Sequence, residues 1–308
     1  MTLRSIVRGA VWGVVALALV FHLAGGWYFS GELIEDGFAP EPDPIALVQG
    51  DFELEEVSYS APLGSMDAWH LPADGTTWVI HVHGLGATPA EAEPLFAPLQ
   101  DAGYPQLSIT YRNDEGQPAD PSGFYQYGAT EWEDVSAAAD HAVAGGAEAL
   151  VLSGFSTGAA HVMSFLSRQP RELVVGVLMD APNVDFGETV DYAASQRELP
   201  VIPVAVPPTL SATAKFLTSL RIGVNWKLLD YVADAEETIR QPVLIHHGTE
   251  DLRVPIETSI DLERVNPDLI ELIKVEGAGH VESYDVDPQG YTESVLSFLE
   301  GLGGAETP

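Results

Sequence analysis

Short apolar runs of strand length alternate with helix-like segments over most of this chain, and this alternation restricts the fold most strongly. The apolar runs lie at residues 76–84, 106–112, 148–154, 172–182, 241–248 and 269–277. Helical patterns lie at residues 130–144, 157–168 and 289–300, with Thr130 predicted as the N-cap of the first. Strands that alternate with helices form right-handed crossovers. The sequence therefore predicts an α/β fold, a mostly parallel sheet with helices on both faces.

Two segments depart from the alternation. Residues 52–60 and 66–71 are short runs separated by a turn-like "APLG", which predicts an antiparallel hairpin at the start of the sheet. Residues 183–240 lie between two predicted strands and are too long for a simple crossover, so we interpret them as an inserted lid. This segment contains "LPVIPVAVPPTL", whose four prolines exclude a regular helix there, followed by helix-like "SATAKFLTSL" and "WKLLDYVADAEETI".

The N-terminal segment has the pattern of a membrane anchor. Arg4 and Arg8 precede a stretch from Gly9 to Phe29 that carries no formal charge beyond a possible one on His22. Such a run is long enough to cross a bilayer as a helix, and its far end carries the aromatic residues typical of the interface. Because positive flanks stay in the cytoplasm, we expect a single-pass anchor with the rest of the chain on the extracytoplasmic side. A signal peptide cleaved near residues 24–26 is the alternative.

These patterns divide the chain into consecutive segments. We predict an anchor or signal peptide at residues 1–30, a linker rich in proline and acid at 31–50, an α/β domain at 51–302 with its lid at about 183–240, and a short tail at 303–308.

Charge and cysteine content exclude several classes of function. Asp and Glu number 46 against 13 Lys and Arg, which gives a formal net charge of −33. A surface this negative repels phosphate backbones, so nucleic-acid binding is not expected. The chain has no cysteine, which excludes disulfides, zinc–thiolate sites and thiol catalysis.

Ser156 stands where a catalytic nucleophile is expected. It is the centre of Gly154-Phe155-Ser156-Thr157-Gly158, which follows the apolar run "EALVLS" and precedes a helical segment. A Gly-x-Ser-x-Gly motif between a strand and a helix is typical of a sharp turn that holds serine in a strained backbone with its hydroxyl exposed. The two glycines let strand and helix approach closely.

A serine hydroxyl needs a base, and the base needs an orienting acid. Asp251 lies in a turn after the 241–248 run, and His280 lies in a glycine-rich loop after the 269–277 run. Both loops leave the ends of parallel strands, where open α/β sheets place ligand groups. Asp180, which ends the strand after that of the serine, is the alternative acid. The predicted triad is Ser156, Asp251 and His280.

The backbone around two further residues is predicted to bind an oxyanion. Thr157 follows the nucleophile, and Leu85 lies in the loop "HGLG" after the 76–84 run. Such a site needs two backbone N–H groups, one from each position. Within the lid, Val204 and Val206 are predicted to face an apolar acyl pocket, with packing of the lid onto the domain as the alternative.

Together GFSTG, HGLG, GTEDLRVP and GAGH, in this order and on these elements, resemble the α/β-hydrolase fold. They are most similar to its membrane-anchored or exported serine-hydrolase branch, often described as serine aminopeptidase-like. The resemblance covers about residues 52–301. It implies an eight-stranded sheet with an antiparallel start, and a serine hydrolase that cleaves a carboxylic ester or related acyl bond of a small molecule through an acyl-enzyme.

Two alternatives stay open on the sequence. A peptidase or acyltransferase would use the same triad, and an aminopeptidase would need carboxylates such as Asp114 and Glu115 near the site. A non-catalytic hydrolase-fold module would have lost a triad member. No cofactor and no metal are predicted: the pair His81 and His83 lacks a third ligand, and we interpret one as a histidine of the oxyanion loop and the other as a core or partner histidine.

Overall fold

The computed structural model describes residues 3–35, 50, 52–199 and 203–303. The described strands are Glu55–Ala61 (β1), Gly64–Leu71 (β2), Thr77–Val82 (β3), Gln106–Ile109 (β4), Ala149–Phe155 (β5), Val174–Asp180 (β6), Val243–Gly248 (β7) and Ile270–Val275 (β8). They form one sheet in the order β1-β2-β4-β3-β5-β6-β7-β8. β2 pairs antiparallel with β1 and β4, and the pairs from β4–β3 to β7–β8 are parallel. The predicted hairpin start and parallel sheet are confirmed.

Helices cover both faces of this sheet, as predicted. The described α-helices are Leu3–Glu35 (α1), Glu93–Asp101 (α2), Trp132–Ala144 (α3), Thr157–Arg168 (α4), Phe186–Ser195 (α5), Pro208–Ile222 (α6), Ala235–Thr238 (α7), Ile256–Val265 (α8), Ser283–Val286 (α9) and Pro288–Gly303 (α10). Successive side chains of a strand point to opposite faces. Leu150 and Leu152 of β5 accordingly pack in a core with α3 and α4, whereas Val151 packs in a second core with α2 and α10.

The predicted N-cap of α3 is wrong. The helix begins at Trp132, two residues after Thr130, and its N-terminus has no side-chain cap. The Thr130 hydroxyl instead donates to Asp120 Oδ2 at 2.9 Å. Glu131 is fully buried, and its carboxylate accepts the N–H of Gly128 at 2.8 Å. These tertiary bonds hold the chain in a turn where local sequence favoured a capped helix.

The segment between β6 and β7 is helical in part. α6 covers the predicted helix "SATAKFLTSL", and Pro207 and Pro208 stand at its N-terminus. The stretch "WKLLDYVADAEETI" is not one helix: a 3₁₀ turn at Trp226–Leu229 and the short α7 are separated by a bridge residue, a bend and a turn at residues 230–234. In this interval the backbone of Asp230 forms an isolated antiparallel β-bridge with that of Asp185, and Tyr231 N–H donates to Val184 O at 2.8 Å. Part of the proline-rich segment, residues 200–202, lies outside the described residues.

The N-terminal helix extends further than the sequence suggested. α1 ends at Glu35, five residues beyond the predicted anchor boundary, and it is the described helix long and apolar enough to cross a membrane. Its last turns join the domain core: Ser30 and Ile34 are buried, and the Tyr127 hydroxyl donates to Leu33 O at 2.7 Å. The predicted linker between residues 36 and 49, and the tail after residue 303, lie outside the described residues.

Candidate active site

Ser156 occupies a strained turn between β5 and α4. Its φ is 49° and its ψ is −116°, a backbone conformation that L-residues rarely adopt. Two bonds to the β6 end hold the turn: Ser156 N–H donates to Asp180 O at 2.9 Å, and Asn183 N–H donates to Ser156 O at 3.0 Å. The turn is thus anchored to the neighbouring strand on both sides of the serine.

Two glycines permit the close approach that this turn requires. A Cβ atom on Gly154 would lie 2.6 Å from Ala159 Cα. A Cβ atom on Gly158 would lie 2.0 Å from Val82 O, on the adjacent strand β3. Both contacts are with backbone atoms, which cannot rotate away. The strand, the turn and the helix therefore pack at a separation that excludes any side chain at either position.

The three side chains of the predicted triad meet in space. Ser156 Oγ lies 2.9 Å from His280 Nε2, and His280 Nδ1 lies 2.7 Å from Asp251 Oδ2. Asp251 follows β7 and His280 follows β8, so the parallel topology brings both loops to the same edge of the sheet as the serine. Val281, the residue after the histidine, has a φ of 57° that turns the loop at this point.

Asp251 is held as a carboxylate by donors on several sides. It is buried, and its Oδ1 accepts the N–H groups of Arg253 and Val254 at 2.8 and 2.9 Å. His247 Nε2 lies 3.3 Å from Oδ2. Burial opposes ionisation, but the hydrogen bonds from His247, His280 and the backbone outweigh it and hold the pKa of Asp251 well below its usual range.

Asp180, the alternative acid, faces a different neighbour. Its carboxyl Oδ1 accepts from Ser283 Oγ at 2.8 Å, and it is nearly fully buried. Burial raises the pKa of Asp180 to about 7, with the negative charge of Glu91 as a further cause. The bond from Ser156 reaches the backbone carbonyl of Asp180 and not its side chain.

The loop after β3 lies beside Ser156. A Cβ atom on Gly84 would stand 3.1 Å from Ser156 Cβ, and Leu85 and Thr157 both line the cavity next to the serine. Thr157 is the first residue of α4, where backbone N–H groups have no partner within the helix. The Gly84 N–H is already engaged by Glu91, so it is not available to a ligand.

Glu91 is a cavity residue that the sequence reasoning missed. Its Oε2 accepts the Gly84 N–H at 2.6 Å, and burial raises its pKa above the ordinary value. A short 3₁₀ helix at Pro89–Ala92 carries it, and Thr88 Oγ1 caps that helix by accepting from the Ala90 N–H. A threonine before a proline at the first helical position was the local signal that could have predicted this turn.

The two histidines of β3 and its following loop have separate partners. His81 Nε2 lies 3.0 Å from Gln106 Oε1. Both ring nitrogens of His83 face acceptors, Gly84 O at 2.8 Å and Asp114 Oδ2 at 3.1 Å. Burial disfavours a charged ring, but Asp114 raises the pKa of His83 to about 9. Among the described residues, no group of three or more His, Asp or Glu side chains has the arrangement of a metal site.

A cavity of about 720 Å³ opens beside Ser156 and His280. The lid segment contributes apolar wall residues that include Val190, Val206 and Ala214, and α1 contributes Phe29 and Leu33. Of the two lid valines predicted to face an acyl pocket, Val206 lines this cavity and is buried. The expectation for Val204 is wrong, because this residue does not line the cavity and is 50 % exposed.

The carboxylates proposed for an aminopeptidase site lie elsewhere. Asp114 is buried against His83, and Tyr125 donates its hydroxyl to Asp114 Oδ1 at 2.8 Å. Glu115 is exposed, and neither acid lines the cavity. The acids that do line it are Glu32 and Glu91, and both have partners within the protein.

Solved structures with the same fold include esterases and peptidases. An esterase from Pyrococcus furiosus superposes with a TM-score of 0.63 at 19% identity, covering 85% of this chain and 97% of that one. A thermophilic esterase from Thermogutta terrifontis superposes with a TM-score of 0.57 at 16% identity, covering 80% of this chain and 99% of that one. The acylaminoacyl peptidase of Pyrococcus horikoshii superposes with a TM-score of 0.61 at 14% identity, covering 84% of this chain but 43% of the peptidase.

Sequence comparison agrees with this likeness in fold. No curated protein sequence matches the chain. A model of the alpha/beta hydrolase family matches residues 79–293, more than half of the chain, including β3 to β8 and the elements that carry Ser156, Asp251 and His280. Together with the eight-stranded sheet, this match shows that the chain belongs to the alpha/beta hydrolase family.

Proposed function

We propose that this protein is a serine hydrolase that cleaves a carboxylic ester, or a related acyl bond, through an acyl-enzyme intermediate. The observation that carries the proposal is the continuous hydrogen-bonded series from Ser156 Oγ through His280 to Asp251, with distances of 2.9 and 2.7 Å, at the strained strand–helix turn. A nucleophile, a base and an orienting acid in this geometry are the requirements of acyl transfer.

In the proposed reaction, Ser156 Oγ attacks the substrate carbonyl while His280 Nε2 takes the hydroxyl proton. The backbone N–H groups of Leu85 and Thr157 bind the resulting oxyanion. His280 then gives the proton to the leaving alcohol, which departs as the C–O bond breaks. A water molecule then loses a proton to His280 and attacks the acyl carbonyl. The bond between that carbon and Ser156 Oγ breaks, His280 returns the proton to Oγ, and the acid is released. Asp251 fixes the imidazole tautomer and stabilises the imidazolium in both halves of the reaction.

The cavity walls favour an ester with an apolar acyl group over a peptide. Val190, Val206 and Leu33 present hydrocarbon beside Ser156. A free amino terminus would need an unpaired carboxylate, and the cavity acids Glu32 and Glu91 are bonded to Arg197 and to Gly84 N–H. A peptidase or acyltransferase on the same triad is therefore the second candidate. The proposed chemistry needs no cofactor.

We further propose that α1 is an uncleaved single-pass anchor. Support comes from its length and apolar composition, and from the burial of Ser30 and Ile34 in the domain core. Arg4 and Arg8 would keep its N-terminus in the cytoplasm and place the catalytic domain on the extracytoplasmic side.

A panel of p-nitrophenyl esters of graded chain length, with aminoacyl p-nitroanilides as competitors, tests the proposed function on the purified full chain. We expect ester turnover that Ser156→Ala abolishes. Turnover of anilides above that of every ester would select the peptidase candidate. No turnover of any acyl substrate would contradict the proposal.

A further inference from the structure

The apolar helix and the lid form one continuous structure. α1 and α6 run parallel and touch over several turns: His22 Nε2 lies 2.9 Å from Thr209 Oγ1, and Ser30 Oγ accepts from Thr218 Oγ1 at 3.0 Å. These contacts are separated by similar lengths of helix on α1 and on α6. A Cβ atom on Gly26 would lie 2.7 Å from Thr213 Cγ2, so the two helices pack at close range.

Polar contacts fix the same interface toward the C-terminal end of the candidate span, which runs from Val7 to Ile34. The Arg221 guanidinium lies 4.5 Å from the centre of the Trp27 ring and donates to Ser30 Oγ at 3.1 Å. Arg197, which follows α5, pairs with Glu32 at 3.1 Å. The lid is therefore fastened to the end of the apolar helix at several points, and a bilayer crossed by that helix lies directly beside the lid.

The first turn of α6 reaches into the part of α1 that is apolar enough to span a membrane. Thr209 contacts His22, which lies within the candidate span that begins at Val7. Just before this turn, Val204 is 50 % exposed, and Phe216 and Leu220 on α6 are 61 and 67 % exposed. In a protein of net charge −33, these exposed apolar side chains, two of them four residues apart on α6, fit a hydrocarbon or interfacial environment.

Helix α1 also supplies one wall of the cavity at Ser156. Phe29 and Leu33, on the last turns of α1, line it together with Val206 from the loop before α6. Exposed apolar side chains lie on the same two segments, at Leu23 and Trp27 of α1 and at Val204 in the loop before α6.

From this arrangement we infer that the substrate is a long-chain acyl ester that resides in the bilayer, and that it enters the cavity along α1 and the 203–210 segment. The inference rests on the proposed function and names the substrate class of that same site. The acyl chain lies against Phe29 and Leu33, and the scissile carbonyl reaches Ser156 without the whole lipid leaving the membrane.

Depth measurements on the full chain in phospholipid vesicles test the membrane contact. Because the chain has no cysteine, single variants Val204→Cys and Phe216→Cys carry one fluorophore each without further changes. Val143→Cys is the matched control: it is 43 % exposed at the end of α3, beside the start of β5 and thus at the sheet edge opposite Ser156. We expect brominated lipids to quench the labels at 204 and 216 and to spare the label at 143. Quenching at 204 and 216 no greater than at 143 would overturn the inference.

Selectivity for the length of the acyl chain tests whether the chain lies against Leu33 in the cavity. Leu33→Trp narrows the cavity, and Leu23→Trp places the same side chain on an exposed part of α1 outside it. We expect Leu33→Trp to lower the ratio of kcat/KM for a palmitoyl ester in vesicles to that for an acetyl ester about tenfold. Leu23→Trp should keep the wild-type ratio. If the wild type cleaves both esters and the two variants share its ratio, this inference is wrong while the proposed function stands; if the wild type cleaves neither, the proposed function itself fails.

Discussion

His280 Nδ1 lies 2.7 Å from Asp251 Oδ2, whereas the carboxyl of Asp180, at the end of the neighbouring strand, is bonded to Ser283 Oγ. Both acids are buried at the same edge of the sheet, and only the first adjoins the imidazole that reaches Ser156. The structure thus separates two aspartates that the sequence left as alternatives.

Asp251→Asn should therefore lower kcat by several orders of magnitude. Loss of the acid in a well-studied serine protease triad costs about 10⁴-fold, because the imidazole adopts the wrong tautomer. Asp180→Asn keeps a polar group of the same shape opposite Ser283 and should cost less than about tenfold. Ester turnover by both variants checks this, and a larger loss for Asp180→Asn than for Asp251→Asn would contradict the assignment.

Gly158→Ala should destabilise the fold strongly. Its Cβ atom would lie 2.0 Å from Val82 O, so strand β3 or helix α4 must shift, at a cost of about 3 kcal/mol. Gly301→Ala is the matched control, since nothing lies within 4 Å of that Cβ position in α10 and alanine favours a helix by up to about 1 kcal/mol. Denaturant unfolding of both variants measures the difference. Equal stability of the two would show that the strand–helix approach is looser than described.

The buried pair of His83 and Asp114 should make stability fall at alkaline pH. Folding raises the pKa of His83 from 6.5 to about 9, so its contribution is complete below pH 6.5 and is lost as the pH rises through 9. That contribution is up to about 3 kcal/mol.

Unfolding curves between pH 6 and 10 check this dependence. Asp114→Asn removes the carboxylate and should make the free energy of unfolding depend less on pH. Asp140→Asn removes an acid from an exposed ion pair with Arg171 and should leave the slope as in the wild type. If the free energy of unfolding of Asp114→Asn still falls at alkaline pH as in the wild type, another group causes the fall.

The topology proposed for α1 predicts that protease added to spheroplasts reaches the catalytic domain. The chain recovered from untreated membranes should still begin before the span, because residues from His22 to Ile34 pack against the lid and core. A domain protected until lysis would contradict the orientation. A mature N-terminus near Gly26 would contradict the anchor.

Local patterns were sufficient to predict the sheet and the position of Ser156. The apolar run, the two glycines and the following helix are contiguous, so the motif is visible in the sequence even though contacts with β3 and β6 hold the turn in the structure. Asp251 and His280 were predicted because loops at the ends of parallel strands converge at one edge.

The sequence did not predict the features that depend on contacts between residues far apart in the chain. Thr130 fails as a cap because Asp120 takes its hydroxyl, and α1 continues to Glu35 because Ile34 finds a place in the core. The contribution of Phe29 and Leu33 to the cavity depends on the packing of α1 against α6, two helices separated by more than 170 residues. No local periodicity encodes such a contact.

Labelling with a fluorophosphonate, followed by peptide mapping, tests the central claim that Ser156 is an activated nucleophile. The account predicts one modified peptide, containing Ser156, and complete loss of labelling in Ser156→Ala with its thermal unfolding unchanged. Ser58→Ala, which removes an exposed hydroxyl from β1, should label like the wild type. Undiminished labelling of Ser156→Ala, or modification mapped to another residue, would contradict the account.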